Sequence, residues 1–148
     1  MVMKFGGLKV SREFRRVRGG IRVSTPVFII EGRSREALTS SDLASDGRSE
    51  ASSTGGDLPR FGFTITRKVG CAVERNRIRR RLKEALRTLE CGAALRNFDY
   101  VVIASRAAHD YPFAELQDVF RRSFHRITED ARCGKRGDRR PRGKKRRR

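Results

Sequence analysis

The run Arg67-Lys68-Val69-Gly70-Cys71-Ala72-Val73-Glu74-Arg75-Asn76-Arg77-Ile78-Arg79-Arg80-Arg81-Leu82-Lys83-Glu84-Ala85-Leu86-Arg87 decides how this chain is read. It holds nine Lys or Arg against two acids, Glu74 and Glu84. Apolar residues return within it at helical spacing. Ile78, Leu82, Ala85, Leu86 and, just beyond, Leu89 fall at i, i+4, i+7, i+8 and i+11, which is one stripe on a helix. At about 100° per residue, Asn76, Arg80, Lys83 and Arg87 project from the opposite side, flanked by Arg79. The spacing predicts a helix that buries one face and offers the other to a polyanion. A basic amphipathic helix alone also fits a membrane surface, a calmodulin-type partner or plain solvation. Two features narrow the choice. The polar face is rich in Arg, whose planar fork grips phosphate oxygens in pairs, and Asn76 adds a directional amide among the charges.

Upstream, Phe61-Gly62-Phe63-Thr64-Ile65-Thr66 alternates like a half-buried strand. The unit reads strand over 60–66, basic turn, basic helix. This run, Arg60 through Glu84, resembles the signature of the bacterial ribonuclease P protein subunit. That signature is a glycine-containing strand, a basic pair, a Val-Gly-x-Ala-Val turn, then Arg-Asn-Arg and an Arg/Lys-rich helix. The chain departs from it at Cys71, where the family usually carries a polar residue such as Asn.

The resemblance spans residues 8 to about 127 and implies an α+β fold. Its parts are a small mixed four-stranded sheet, an N-terminal helix, the basic helix in a left-handed βαβ crossover, and a C-terminal helix. It implies contact with the catalytic RNA through Arg67, Lys68, Arg75, Asn76, Arg77, Arg79, Arg80 and Lys83. The 5′ leader of precursor tRNA is expected in a cleft at Phe14, Arg18, Phe28 and Ile30, with Arg18 standing where many relatives carry a second aromatic. By the same resemblance the RNA performs the cleavage, Mg²⁺ is held mainly by RNA, and the protein brings no organic cofactor.

The rest of the chain fits around this unit. A net charge of +19 over 148 residues argues for a nucleic acid or an anionic membrane as partner. No apolar run reaches transmembrane length, and the N-terminus lacks a signal-peptide core. Cys71, Cys91 and Cys133 are odd in number and lack CxxC spacing, so neither disulfides nor zinc are expected, and a reducing cytoplasm is. Residues 8–18 read as a helix with Ser11 as N-cap and Leu8, Phe14 and Val17 as its apolar set. Ile21 to Ser24 and Val27 to Ile30 read as strands, with the parity of the second left open between Phe28/Ile30 and Val27/Ile29. Residues 32–57 carry seven Ser, two Thr and four Gly with a net charge of −2, the composition of a disordered insertion. Asp99 to Ala104 reads as a central strand, and Phe113, Leu116, Phe120, Phe124 and Ile127 stripe a last helix behind Pro112. One RNA-binding domain over 1–131 and a disordered basic tail over 132–148 are expected.

Catalytic machinery is not legible. His109 and His125 have no partners at acid–base spacing, and the carboxylates are scattered rather than clustered for a hard cation. Catalytic and metal-ligating residues are therefore expected to be absent, along with any membrane or obligate protein partner. A structural RNA-binding protein, such as a ribosomal component, fits the charge equally well. Only the Val69-Gly70, Arg75-Asn76-Arg77, Arg79-Arg80 signature separates the two readings. A DNA-binding role lacks a helix-turn-helix pair.

Overall fold

The computed structural model describes residues 3–9, 11–35, 58–90 and 94–134. Its elements are β1 (Gly6–Gly7), α1 (Ser11–Val17), β2 (Ile21–Ser24), β3 (Phe28–Ser34), β4 (Arg60–Thr64), α2 (Ala72–Arg87), β5 (Phe98–Ala104) and α3 (Phe113–Arg132). Short 3-10 turns precede α2 at Arg67–Val69 and α3 at Arg106–His109. The sheet order is β1-β4-β5-β3-β2. β4 and β5 pair in parallel, β5 and β3 antiparallel, and β3 and β2 antiparallel. Strand, basic helix and parallel strand thus form a βαβ crossover, with β5 in the middle of the sheet.

One face of the sheet packs against α2 and α3. The stripe of Ile78, Leu82, Ala85, Leu86 and Leu89 is fully buried there, as is that of Leu116, Phe120 and Ile127. Aromatic rings fill the space between. Phe28 stacks on Phe120 at 4.4 Å between centroids, Phe61 stacks on Tyr100 at 5.0 Å, and Tyr100 meets the edge of Phe124 at 5.3 Å. Such pairs favour offset or edge-on contact because ring faces are negative and edges positive. The Tyr100 hydroxyl accepts the Leu95 N–H at 3.0 Å. Burial pushes its phenol far up from the ordinary value, since a phenolate there would lose its water.

Among the described residues, α1 is the helix that covers the other face. Leu8, Val17 and Val101 form a separate small cluster, with Phe14 and Ile103 packed against it. The helix crosses the strands. Its approach is fixed where the Leu8 N–H reaches the Phe61 carbonyl of β4, and its end where Arg33 of β3 reaches the Arg16 carbonyl.

The structure departs from the sequence expectation in several places: α1 covers Ser11–Val17 instead of 8–18, and β4 ends at Thr64 instead of 66. The sheet has five strands, not four, because the two glycines of β1 pair with Arg60 and Phe61; a two-residue glycine strand has no side-chain pattern to betray it. β3 runs through Gly32 to Ser34, pairing with Tyr100, Asp99 and Phe98, so these residues are strand and not insertion. Arg132 closes α3 instead of opening the tail. The segments 36–57 and 135–148, expected to be disordered, lie outside the described residues.

Candidate nucleic-acid interface

The turn into α2 explains why the signature needs glycine. The Cys71 N–H is bonded by the Glu74 carboxylate at 3.0 Å, which caps the helix start. A Cβ on Gly70 would fall 1.9 Å from that carboxylate oxygen. Only glycine leaves room for the cap. Arg106, from the turn after β5, donates to the Val69 carbonyl at 3.0 Å and lies 3.9 Å from Glu74. Glu74 is thereby engaged locally instead of standing free among the cations.

Beyond this turn the helix sorts its basic residues. Asn76, Arg77, Arg79, Arg80 and Lys83 are exposed, as are Arg67 and Lys68 in the turn before it. Arg75 is only half-exposed, and its Nε is buried without a hydrogen-bond partner. Arg81 has a different task. It donates to the carbonyls of His109 and Tyr111, and so bolts the helix to the loop that leads into α3. Asp110 sits at the edge of this face. A 2.8 Å contact from His109 is the main cause that holds its carboxyl below the usual range, with Arg77 and Arg81 adding to it. Neither the task of Arg81 nor the Asp110 anion was visible in the spacing, because both depend on a loop about thirty residues away.

The α1 face of the sheet is built in rows, since paired residues share a face. The row under the helix is Glu31, Val101 and Gly62. On one side of it lies the row of Arg33, Asp99, Arg60 and Gly6. On the other lies the row of Ser24, Ile29, Ile103 and Thr64, in which Ser24 is exposed and the other three half-exposed. This last row is an open strip with an aliphatic floor and hydroxyl ends. Phe14, half-exposed, forms its wall above Gly62, and Arg15 in α1 and Arg18 in the turn after it are exposed. The strip can hold a base against Phe14 while guanidinium groups meet phosphates.

Phe28 and Ile30 do not join it. They are 1 % and 0 % exposed and face α3 from the opposite side of the sheet. The expectation that they line the leader cleft is corrected: in β3 it is Ile29 that faces the strip. Both parities of Val27-Phe28-Ile29-Ile30 are apolar, so alternation could not choose between them. Phe14 lies beside the strip, and Arg18 is exposed in the turn just past the end of α1.

A half-buried ion network centred on Asp99 fills the row on the far side of α1. Asp99, 2 % exposed, receives Arg60 through Nε at 2.9 Å and Nη2 at 2.7 Å. Arg60 Nη1 reaches Glu13 of α1 at 3.2 Å, and Arg35 Nε lies 3.6 Å from Asp99. The Asp99 hydrogen bond is the main cause that holds the Arg60 guanidinium above its ordinary value. Glu13 also accepts the Lys9 N–H at 2.9 Å. Among the described residues, no three His, Cys, Asp or Glu converge on a point that could hold a metal ion. No described helix is long and apolar enough to cross a membrane.

A family model for ribonuclease P matches residues 3–128. The ribonuclease P protein component of Brucella suis is 40 % identical over 134 residues, covering 90 % of this chain and 88 % of the relative. That of Bartonella quintana is 39 % identical over 111 residues, covering 70 % and 69 %. Among solved structures, the RNase P protein of Staphylococcus aureus aligns with a TM-score of 0.57 at 22 % identity over 86 % of this chain and 96 % of that one. The RNase P protein from Thermotoga maritima aligns with a TM-score of 0.59 at 22 % identity, covering 80 % and 94 %. With the signature seated on a basic helix inside this sheet, and relatives that align along most of its length, the chain belongs to the ribonuclease P protein family, the protein component of a ribonucleoprotein endoribonuclease.

Proposed function

We propose that the protein binds the catalytic ribonuclease P RNA through α2 and the 5′ leader of precursor tRNA along the strip beside α1, promoting removal of the leader. The observation that carries this reading is the separation of the two surfaces. The exposed row of Asn76, Arg77, Arg79, Arg80 and Lys83 belongs to the helical layer behind the sheet, and the strip of Phe14, Ile29, Ile103 and Thr64 lies in front. Two RNA segments can therefore be held at once without competing for one patch. The polypeptide supplies position and positive charge, and the RNA supplies the chemistry.

Mg²⁺ is held mainly by RNA phosphates in this reading. Cationic side chains near two approaching polyanions lower their repulsion and leave fewer phosphates in need of Mg²⁺. Product without a leader loses the contacts of the strip, so substrate is favoured over product. The place of action is the cytoplasm.

The test is reconstitution with a bacterial ribonuclease P RNA. The particle is expected to cleave precursor tRNA at lower Mg²⁺ than the RNA alone, and RNA-free protein is expected to cleave nothing. Equal Mg²⁺ demand with and without protein overturns the reading.

A further inference from the structure

Among the described residues, the side-chain polar bonds that join helix α1 to the sheet lie along one flank. On that flank the Arg60 guanidinium bridges two carboxylates, Asp99 on the central strand and Glu13 on the helix. Further along the same flank, Arg33 donates to the Arg16 carbonyl at 2.9 Å. The opposite flank faces the strip. The side chains of Arg15 in α1 and Arg18 in the turn after it are exposed and make no hydrogen bond or ion pair among the described residues.

The parts of the fastening constrain one another. Asp99 is 2 % exposed and cannot turn to water, so its charge requires Arg60. Bidentate contact fixes the plane of the guanidinium, which leaves Nη1 aimed at one place. Glu13 meets it there, and its second oxygen holds the Lys9 N–H at the start of the helix. Glu13 precedes Phe14 directly. On a rigid helical turn, shifting one shifts the other.

We infer that Glu13, Arg60 and Asp99 are positioning residues for the leader strip: they set the height and tilt of α1, and through it the Phe14 ring that walls the strip. This rests on the reading of the strip as a leader site. Arg60 belongs to the signature run, yet it lies on the far flank of α1 from the strip and acts through the helix without touching the leader. The network also takes up the one acid of α1, so the helix shows RNA only positive charge.

Three variants test the inference: Glu13→Ala, Glu13→Gln, and Phe14→Leu as the reference for a lost ring. The first readout is the proton resonance of Gly62 Hα, which the overlying Phe14 ring shifts. The second is the ratio of affinities of the reconstituted particle for precursor and leaderless tRNA. Glu13→Ala is expected to relax the Gly62 shift toward that of Phe14→Leu and to cut the precursor preference about tenfold, the loss of one hydrogen bond to a charged group. Glu13→Gln keeps an acceptor oxygen and restores most of both. Affinity for the catalytic RNA stays unchanged in all three. An unmoved Gly62 resonance in Glu13→Ala overturns the inference, as does an equal loss for precursor and leaderless tRNA. Absence of any precursor preference in the unsubstituted particle overturns the functional reading instead, while the Gly62 resonance still decides whether Glu13 places the ring.

Discussion

The Phe14 ring lies so close over Gly62 that a Cβ on residue 62 would stand 2.4 Å from Cε1 and 2.6 Å from Cζ. Leu8 Cδ1 would be 3.1 Å away on the same side. Gly62→Ala must therefore lift the ring and the helix that bears it. Overpacking of this kind costs about 1–3 kcal/mol. The expected outcome is a lower urea midpoint together with a weaker preference for leader-bearing substrate. Retention of both would mean that α1 is not seated as described.

Phe28 and Ile29 are neighbours in one strand with opposite duties. Phe28→Ala removes a ring stacked on Phe120 in the core and is expected to cost about 3–5 kcal/mol. Ile29→Ser lies on the half-exposed strip and is expected to change stability far less while weakening leader binding. Denaturation and leader-dependent affinity, measured on both variants, should separate along these two axes.

Arg60 and Asp99 are expected to respond unequally to removal. Arg60→Met strands a carboxylate that is 2 % exposed, with Arg35 Nε at 3.6 Å as its remaining cation. That loss should fall toward the low end of the about 3–5 kcal/mol seen when a buried pair is broken, because Arg35 offsets part of it. Asp99→Asn leaves Arg60, whose side chain is 31 % exposed, free to turn to water, and should cost less, about 1–3 kcal/mol. Urea unfolding of the two variants decides the order.

Adjacent arginines on α2 divide between binding and folding. Arg80→Ala, at an exposed position, should leave stability intact and reduce the salt-dependence slope for RNA by about 0.9 on duplex or about 0.7 on single strand. Arg81→Ala removes the donors to the His109 and Tyr111 carbonyls and should destabilise by about 1.5–3 kcal/mol. A salt series and a thermal melt on each variant are sufficient.

Tyr100 supplies a pH dependence with a defined sign. Its folded-state value is raised, so the stability it contributes is complete below the ordinary tyrosine range of about 10. That stability is lost as pH climbs through the range and beyond. In a Tyr111→Phe variant, the other tyrosine being gone, phenolate absorbance should appear only together with loss of the circular dichroism signal. A phenolate that forms in the folded protein would show that the ring is less buried than described.

The stripes of α2 and α3 were legible because burial on a helix repeats every few residues, and each residue that they name is buried except Phe113, which is 38 % exposed at the first turn of α3. The strip beside α1 was half legible. Phe14 and Arg18 stood out by type, but the floor residues Ile29 and Ile103 sit in runs apolar on both faces, where alternation carries no information. Glu31 to Ser34 escaped as strand because charged and small residues there are held by register with β5 rather than by propensity. The Glu13–Arg60–Asp99 network joins residues 47 and 39 positions apart, and no local pattern reports such a meeting.

The place of β5 in the sheet also sets a timetable for the newly made chain. β3 and β4 do not touch each other; each pairs with β5, which is synthesised after both. Until residue 104 has left the ribosome, β4 lacks its main partner and β3 has only the short hairpin with β2. The apolar face of Phe28, Ile30 and Phe61 then waits uncovered, because α3, which seals it, comes later still. A nascent chain in that interval presents open strand edges and bare aromatic rings, the condition in which chains associate wrongly. Early arrest of translation should therefore be more harmful to this protein than late truncation within the basic tail.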